Sequence, residues 1–364
     1  MAGAVQSGNI SKANPMNGGH GLYSYTKNST YQGKVIVAVK DLIMEAISEK
    51  LNSCIISSSN TICVADMGCS VGPNTFIAVQ NIVEAVQKKY QSQGQGHSGL
   101  PEFQVFLNDH SVNDFNTLFR SLPPNRNYYV AGMPGSFHGR LFPSNFLHIV
   151  HTSYALQWLS QVPMEVEDTS SPAWNKGRIY YSSAGDQIAK AYADQFSKDM
   201  DCFLHARAKE VVCGGLIMLT VPGRLDGSPH TRVFSNVCYD ILGSCLMDMA
   251  KMGITSEEKV DSFNIPVYFS SPQELEATVE RNGCFSLEKL HCLPLEKTQT
   301  SIPEKARAIS YHIRAGLEFL LKEHFGHEIL DELFDSFNRK LEKSEVFQYG
   351  RAYSLFALLK RKPT

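Results

Sequence analysis

The sequence predicts an α/β protein, a parallel, doubly wound sheet carrying a helical cap. Three observations predict it: a β-rich run enters a glycine-containing turn and then an amphipathic helix, the same alternation recurs along the chain, and two long helical stretches fall outside it.

The elements follow in order. After a polar, glycine-containing start over residues 1–22, Ile36, Val39, Ile43, Ile47 and Leu51 recur every three or four residues, the spacing of an amphipathic helix. Ser57, Ser58, Ser59 and Asn60 break it. Residues 61–65 are a β-rich apolar run ending in Asp66, Gly68 and Gly72, as a buried strand entering a turn does. Pro73 suits a first helical turn, and Phe76, Val79, Ile82, Val83, Val86 and Tyr90 line one face of the next helix. The polar stretch 91–101 reads as a linker to a second strand, 103–107, which ends at Asn108 and Asp109. Residues 146–154 and 215–221 are two more strands, the latter after a helix over 190–211, and 353–359 is a strand that closes the sheet. Strands alternating with helices imply parallel pairing. The whole is expected as a single domain. Its core sheet is drawn from about 55–225, 283–300 and 350–364, and its cap from about 228–282 and 302–345, where Ile329, Leu330, Leu333, Phe334, Phe337 and Leu341 form an apolar helical face.

Composition bounds the function. Hydrophobic residues make up 43% of the 364 and charged residues 19%, enough apolar material for a large core and below the typical charged share of about 25%. Lys+Arg 34 against Asp+Glu 36 gives a net charge of −2, so no basic field exists to attract nucleic acid or an anionic membrane. Nine cysteines without a Cys-x-x-Cys pair read as reduced thiols. The first twenty residues carry no secretory apolar run, and other apolar runs fall far short of the ~18 residues that span a bilayer. A cytoplasmic protein is expected.

The turn Asp66-Met-Gly68-Cys-Ser-Val-Gly72-Pro-Asn74 is neither the dinucleotide fingerprint nor a phosphate-cradling loop. Its glycines allow close backbone approach to a bulky ligand end without phosphate, which suits S-adenosylmethionine. Asp66 would face the ammonium or sulfonium region and Asp109 the ribose hydroxyls. Read alone, Gly68 and Gly72 serve equally to make a tight strand–helix turn.

Several blocks together resemble the plant SABATH family of S-adenosylmethionine-dependent methyltransferases, which act on small carboxylic acids and, in one branch, on xanthine-type purines. They are Met16-Asn-Gly-Gly, Ser24-Tyr25-Thr-Lys-Asn28-Ser29-Thr-Tyr31-Gln32, the 65–74 turn, Phe106-Leu-Asn108-Asp109 and Asn113-Asp114-Phe115-Asn116. Gly132-Met-Pro134-Gly135-Ser136-Phe137-His-Gly-Arg140, Ser153-Tyr154-Ala-Leu-Gln157-Trp158-Leu-Ser160, Trp174-Asn175-Lys-Gly177 and Asp261-Ser-Phe263-Asn264-Ile-Pro266 follow in the same order. The resemblance implies a Rossmann-like class I methyltransferase sheet, a homodimer, and segment 1–32 closing the site. It implies cofactor contacts at Tyr25, Ser29, Asp66, Cys69, Asn74, Asp109, His110, Ser136 and Phe137, and substrate contacts at Gln32, Tyr154, Gln157 and Trp158. In some relatives a structural Mg2+ is assigned to the positions of Asn175, Asp261, Phe263 (through its carbonyl) and Asn264, an all-oxygen set that suits a hard cation. Two positions depart from the family: His110 stands where many relatives have Leu, and Gln157 where His or Met is usual.

The implied reaction is methyl-ester formation on a small carboxylic acid, of iridoid (such as loganic), salicylic or benzoic, jasmonic or farnesoic type. N-methylation of a xanthine-type purine and a non-catalytic cofactor-binding protein are the alternatives. A carboxylic acid with a pKa near 4 is ionised at pH 7, so no catalytic base is expected, and the Gln and Trp N–H groups would hold the carboxylate without a counter-charge. Each residue also has a plainer reading. Trp158 reads as core, Gln32 as a helix start, Ser136 as a turn, and Asn175 and Asp261 as caps of local structure.

Overall fold

A computed structural model of the chain describes residues 14–52, 55, 60–92, 100–294 and 300–363. The start over 1–13, the break at Ser57, Ser58 and Ser59, and most of the 91–101 linker lie outside the described residues.

Among the described residues seven strands form one sheet: β1 (Thr61–Met67), β2 (Glu102–Asp109), β3 (Tyr129–Pro134), β4 (Leu147–Ser153), β5 (Val211–Gly223), β6 (Phe285–Pro294) and β7 (Tyr353–Arg361). Their order is β3-β2-β1-β4-β5-β7-β6. The first five pair in parallel, as the alternation predicts, with Asp66 opposite Leu107 on one side and His151 on the other.

β7 departs from expectation. It runs antiparallel between β5 and β6, with Gly223 and Pro294 both opposite Tyr353, so it fills a slot inside the sheet and β6 takes the edge. The chain returns from the Ile302–Phe325, Leu330–Lys343 and Val346–Tyr349 helices at the end where β5 leaves the sheet, which forces the reversed direction. Leu355 to Leu359 are wholly buried, as a strand covered on both faces requires. β6 is half-buried along most of its length, as an edge strand is. β3, the opposite edge, has a weak signal in sequence, since Gly132 and Pro134 interrupt a short and largely exposed run.

Alternation along β1 feeds two layers of core. Cys63, Ala65 and Met67 pack on one side of the sheet with the Asp186–Glu210 helix, and Ile62 and Val64 on the other with the Lys40–Lys50 and Asn74–Ser92 helices. Within 228–282, the Phe234–Lys251 helix packs against Leu330–Lys343, whereas Pro272–Asn282 lies against β6 and the Asp186–Glu210 helix. No helix among the described residues is long and apolar enough to cross a membrane.

The strand order reverses between β1 and β4, and in open α/β sheets the crevice at that point, outside the carboxyl ends of the strands, is where ligands bind. Asp66, Asp109 and Ser153 stand at those ends.

Candidate functional site

The turn after β1 leaves no room for a side chain at Gly68. Gly68 has φ +79°, and a Cβ there would lie 2.3 Å from the Cβ of Ala155. The N–H groups of Gly68 and Cys69 both donate to the carbonyl of Asn108, each at 2.9 Å, which ties the turn to the end of β2. Ser70, in the left-handed region at φ +52°, donates its N–H to Asp109 Oδ2 at 2.8 Å, and His110 N–H donates to Oδ1 at 2.8 Å. Both carboxylate oxygens are thus aimed, and each keeps a lone pair for a further donor. Burial pushes the Asp109 carboxyl above its usual range, against the pull of those two N–H groups.

Asp66 is buried at the end of β1. One oxygen accepts from Thr75 Oγ1, and Oδ1 lies 2.7 Å from His151 Nδ1 on β4. A cavity of about 370 Å³ opens beside it, walled by Tyr25, Gln32, Asp66, Gly68, Cys69, Ser70, Gly72, Asn74 and His151 among others. A larger one of about 610 Å³ is walled by Tyr25, Gly68, Ser70, Asp109, His110, Phe137, His138, Tyr154 and Trp158 among others. Tyr25, Gly68 and Ser70 belong to both. Burial, with Asp109 and Asp66 near, pushes the Cys69 thiol well up, so it packs as a neutral side chain. Asn74 Nδ2 donates to the carbonyl of Ser29 at 3.0 Å and to its Oγ at 3.1 Å, and this joins the Asn74–Ser92 helix to the N-terminal segment.

The wall formed by Phe137 and His138 rests on a buried ion pair. Arg207 Nε and Glu210 Oε2 are 2.7 Å apart, and both side chains are fully buried. Arg207 also donates to the carbonyls of Phe137 and Gly139 at 2.9 and 2.8 Å, while Glu210 Oε1 accepts from the N–H groups of Leu141 and Phe142. Ser136 lines neither cavity, and its Oγ accepts from His138 N–H at 3.4 Å. Sequence reasoning missed Arg207 and Glu210. Their signal was a charged pair three residues apart within the 190–211 helix, close to the apolar Phe203 and Leu204.

On the far side of the larger cavity, Tyr154 adopts φ +56°, a strained conformation for a bulky residue. Its hydroxyl lies 2.6 Å from Ser354 Oγ, and burial pushes its pKa up to about 12. Gln157 turns its amide onto the carbonyl of Tyr154 at 2.8 Å and leaves Oε1 buried without a partner among the described residues. Trp158 pairs with Val267, flanked by the Leu159 N–H to Pro266 and Tyr268 N–H to Gln157 bonds. Gln32 and Trp158 wall different cavities: Gln32 belongs to the smaller, where its Nε2 lies 3.5 Å from His312 Nε2.

Of the four positions of the implied metal set, three are held by hydrogen bonds between the 175–180 and 261–264 segments. Asn175 Nδ2 donates to Asn264 Oδ1 at 2.7 Å and to the carbonyl of Tyr180 at 3.2 Å, and Asp261 Oδ1 accepts from Gly177 N–H at 2.6 Å. Two carbonyl acceptors fix the Asn175 amide orientation. Mg2+ takes oxygen ligands; Asn175 Oδ1 is buried without a hydrogen-bond partner among the described residues, while the Asn175 amide nitrogen, Asn264 Oδ1 and Asp261 Oδ1 are engaged within the protein. Among the described residues no group of three or more His, Cys, Asp or Glu is placed to hold a metal ion.

The switch-point crevice of this Rossmann-like sheet offers a glycine turn, two carboxylates and an aromatic wall, an arrangement that suits a nucleoside-type cofactor. The family model for S-adenosylmethionine-dependent carboxyl methyltransferases matches residues 11–362, and the chain belongs to that family. It is 46% identical to loganic acid O-methyltransferase of Catharanthus roseus, over 96% of this chain and 95% of that protein. It is 38% identical to farnesoic acid carboxyl-O-methyltransferase of Arabidopsis thaliana, over 90% and 92%. It is 40% identical to paraxanthine methyltransferase 2 of the same plant, over 88% and 90%. A solved structure of loganic acid methyltransferase with SAH superimposes with a TM-score of 0.91 at 45% identity, covering 96% of this chain and 99% of that one. The protein is a carboxyl O-methyltransferase with S-adenosylmethionine as its methyl donor.

Proposed function

We propose that the protein forms the methyl ester of a small hydroxylated carboxylic acid of the iridoid type, as a cytoplasmic homodimer. The observation that carries this reading is the 46% identity to loganic acid O-methyltransferase across nearly the whole of both chains.

S-adenosylmethionine supplies an already activated methyl group on a sulfonium. The chain's own residues bind and aim. Asp109 takes the ribose hydroxyls on its two oriented oxygens, and Phe137, with His110 and Ser136 beside it, forms the adenine side. Tyr25, Ser29, Asp66, Cys69 and Asn74 enclose the amino-acid end, where the Asp66 charge faces a cation. Trp158, a donor only, and Gln32, whose amide has two N–H groups, hold the substrate carboxylate where the two cavities meet at Tyr25, Gly68 and Ser70, with Tyr154 and Gln157 beside them. Gln157 Oε1, without a partner among the described residues, is the acceptor we assign to a substrate hydroxyl, although Gln157 itself borders neither cavity. Among the described residues no Lys or Arg lines either cavity, so no fixed cation there pairs with the nucleophile. An ionised acid needs no base, and the remaining requirement is in-line approach at about 3 to 3.5 Å in a water-poor space.

The test is a panel of iridoid, benzoic, jasmonic and farnesoic acids beside xanthine-type purines, with products identified by mass spectrometry. A base-labile ester of an iridoid acid at the highest kcat/KM is expected. Preference for another acid overturns the substrate assignment, and N-methylated purine with no ester overturns the reading altogether. Light scattering that gives a monomer removes the homodimer.

A further inference from the structure

We propose that His312 is the positioning residue for Gln32, setting which edge of its amide faces the acid. This rests on the reading of Gln32 as a carboxylate-holding residue.

His312 lies on the Ile302–Phe325 helix, 280 residues from Gln32 in sequence. Its Nδ1 is 2.8 Å from the carbonyl of Asn28. A carbonyl only accepts, so Nδ1 carries the proton. Burial pushes the imidazole pKa below its usual value, which keeps the ring neutral and leaves Nε2 as a lone pair. Gln32 Nε2, 3.5 Å away, therefore donates to it. The two edges of an amide are nearly alike in shape, and here the chemistry of the neighbour distinguishes them. The reverse orientation would set Gln32 Oε1 against the Nε2 lone pair. With the NH2 edge held on His312, one N–H is engaged and the other is free for a carboxylate, while Oε1 stays buried without a partner among the described residues.

The packing makes His312 a fixed reference rather than a loose contact. One residue before it, Tyr311 meets Tyr23 edge-on with ring centroids 5.2 Å apart, and two residues after it, the Arg314 guanidinium lies 3.7 Å from the centre of the Tyr23 ring. Ala315 accepts the N–H of Asn17 at 2.8 Å. The N-terminal segment that carries Asn28 and Gln32 is therefore clasped on both sides of the imidazole, and a change in the amide edge is the local freedom that remains.

The experiment compares His312→Phe, which removes the acceptor, His312→Gln, which can accept from Gln32 and donate to Asn28, Gln32→Met, and the double variant His312→Phe/Gln32→Met. KM and kcat for the best acid of the panel are measured with SAH affinity and Tm. His312→Phe should raise the acid KM about 10-fold, the scale of one misdirected charge-assisted hydrogen bond. SAH affinity should stay within about 2-fold, and His312→Gln should restore most of the loss, as expected for a hydrogen-bonding rather than a packing role. In the Gln32→Met background, His312→Phe should change almost nothing, because coupled residues are not additive. Additive losses, or weakened SAH binding in His312→Phe, overturn the proposal. An unchanged acid KM in Gln32→Met instead overturns the carboxylate role of Gln32, and the inference with it. Should His312→Phe not fold, His312→Met takes its place in the cycle.

Discussion

Replacing Gly68 by Ala tests the site at its tightest point. The added Cβ would meet the Cβ of Ala155 at 2.3 Å, and φ +79° is a conformation L-residues avoid. The left-handed backbone costs roughly 1–2 kcal/mol and the overlap about 1–3 kcal/mol, so roughly 2–5 kcal/mol of stability should be lost. Ala155 cannot simply retreat, because it follows Tyr154, whose N–H is bound to the Thr220 carbonyl at 2.8 Å. The turn must move instead, taking Gly68 and Cys69 off the Asn108 carbonyl and Ser70 off Asp109. Gly72→Ala is the control: its Cβ would find nothing nearer than Ser29 Oγ at 3.5 Å, and its φ is ordinary. Urea unfolding of the apo proteins and calorimetry with SAH are the assays. Gly68→Ala should unfold at lower urea and bind SAH more than about 10-fold more weakly, a loss of 1.4 kcal/mol or more, while Gly72→Ala keeps its apo stability within about 1 kcal/mol. Equal stability and SAH affinity for Gly68→Ala and the parent, or a larger apo loss at Gly72, would refute the argument.

Other outcomes follow from the same geometry. Arg207→Met strands the Glu210 carboxylate in a fully buried place; it should cost about 3–5 kcal/mol in denaturant unfolding and weaken SAH binding, since the Phe137 wall loses its anchor. Trp158→Ala should remove most turnover with SAH affinity nearly unchanged, and Asp109→Ala should do the reverse; equal loss of SAH binding in both would contradict the division into two subsites. Burial lowers the pKa of His138, His148 and His312, and that of His230 to about 4. The unfolded chain takes up these protons near pH 6.5 and the native one only at lower pH, so the stability present above pH 6.5 should fall as pH drops toward about 4. Thermal melts between pH 7 and 4.5 check this, and His230→Gln should flatten the slope; a Tm independent of pH would contradict it.

Much of the crevice at the strand ends was legible in the sequence because it is local. The strand, the glycine turn, and the carboxylates at the ends of β1 and β2 are written within short windows, and their periodicities differ enough to be read. Legibility fell where the signal was short or ambiguous. β3 is a six-residue edge run interrupted by glycine and proline. The placement of β7 was readable in principle, since 355–359 is uniformly apolar whereas 285–294 alternates with polar residues, but a continuous apolar run alone does not say which neighbours it joins. Gln157 was noticed as a departure, yet that its amide is bound to the Tyr154 carbonyl follows from a left-handed backbone no local pattern announced.

By itself the sequence determined the alternation of strands and helices, the glycine turn, and which acidic residues end the first two strands, because side-chain period and turn chemistry act over a few residues. Tertiary structure alone decided that Arg207 and Glu210 hold the Phe137 wall, that Asn175 clasps Asn264, that Gln32 and Trp158 wall separate cavities, and that His312 meets Gln32. Those pairings span tens to hundreds of residues and involve single polar atoms. Each is settled only when burial removes water and a donor must find the one acceptor that packing has placed within reach.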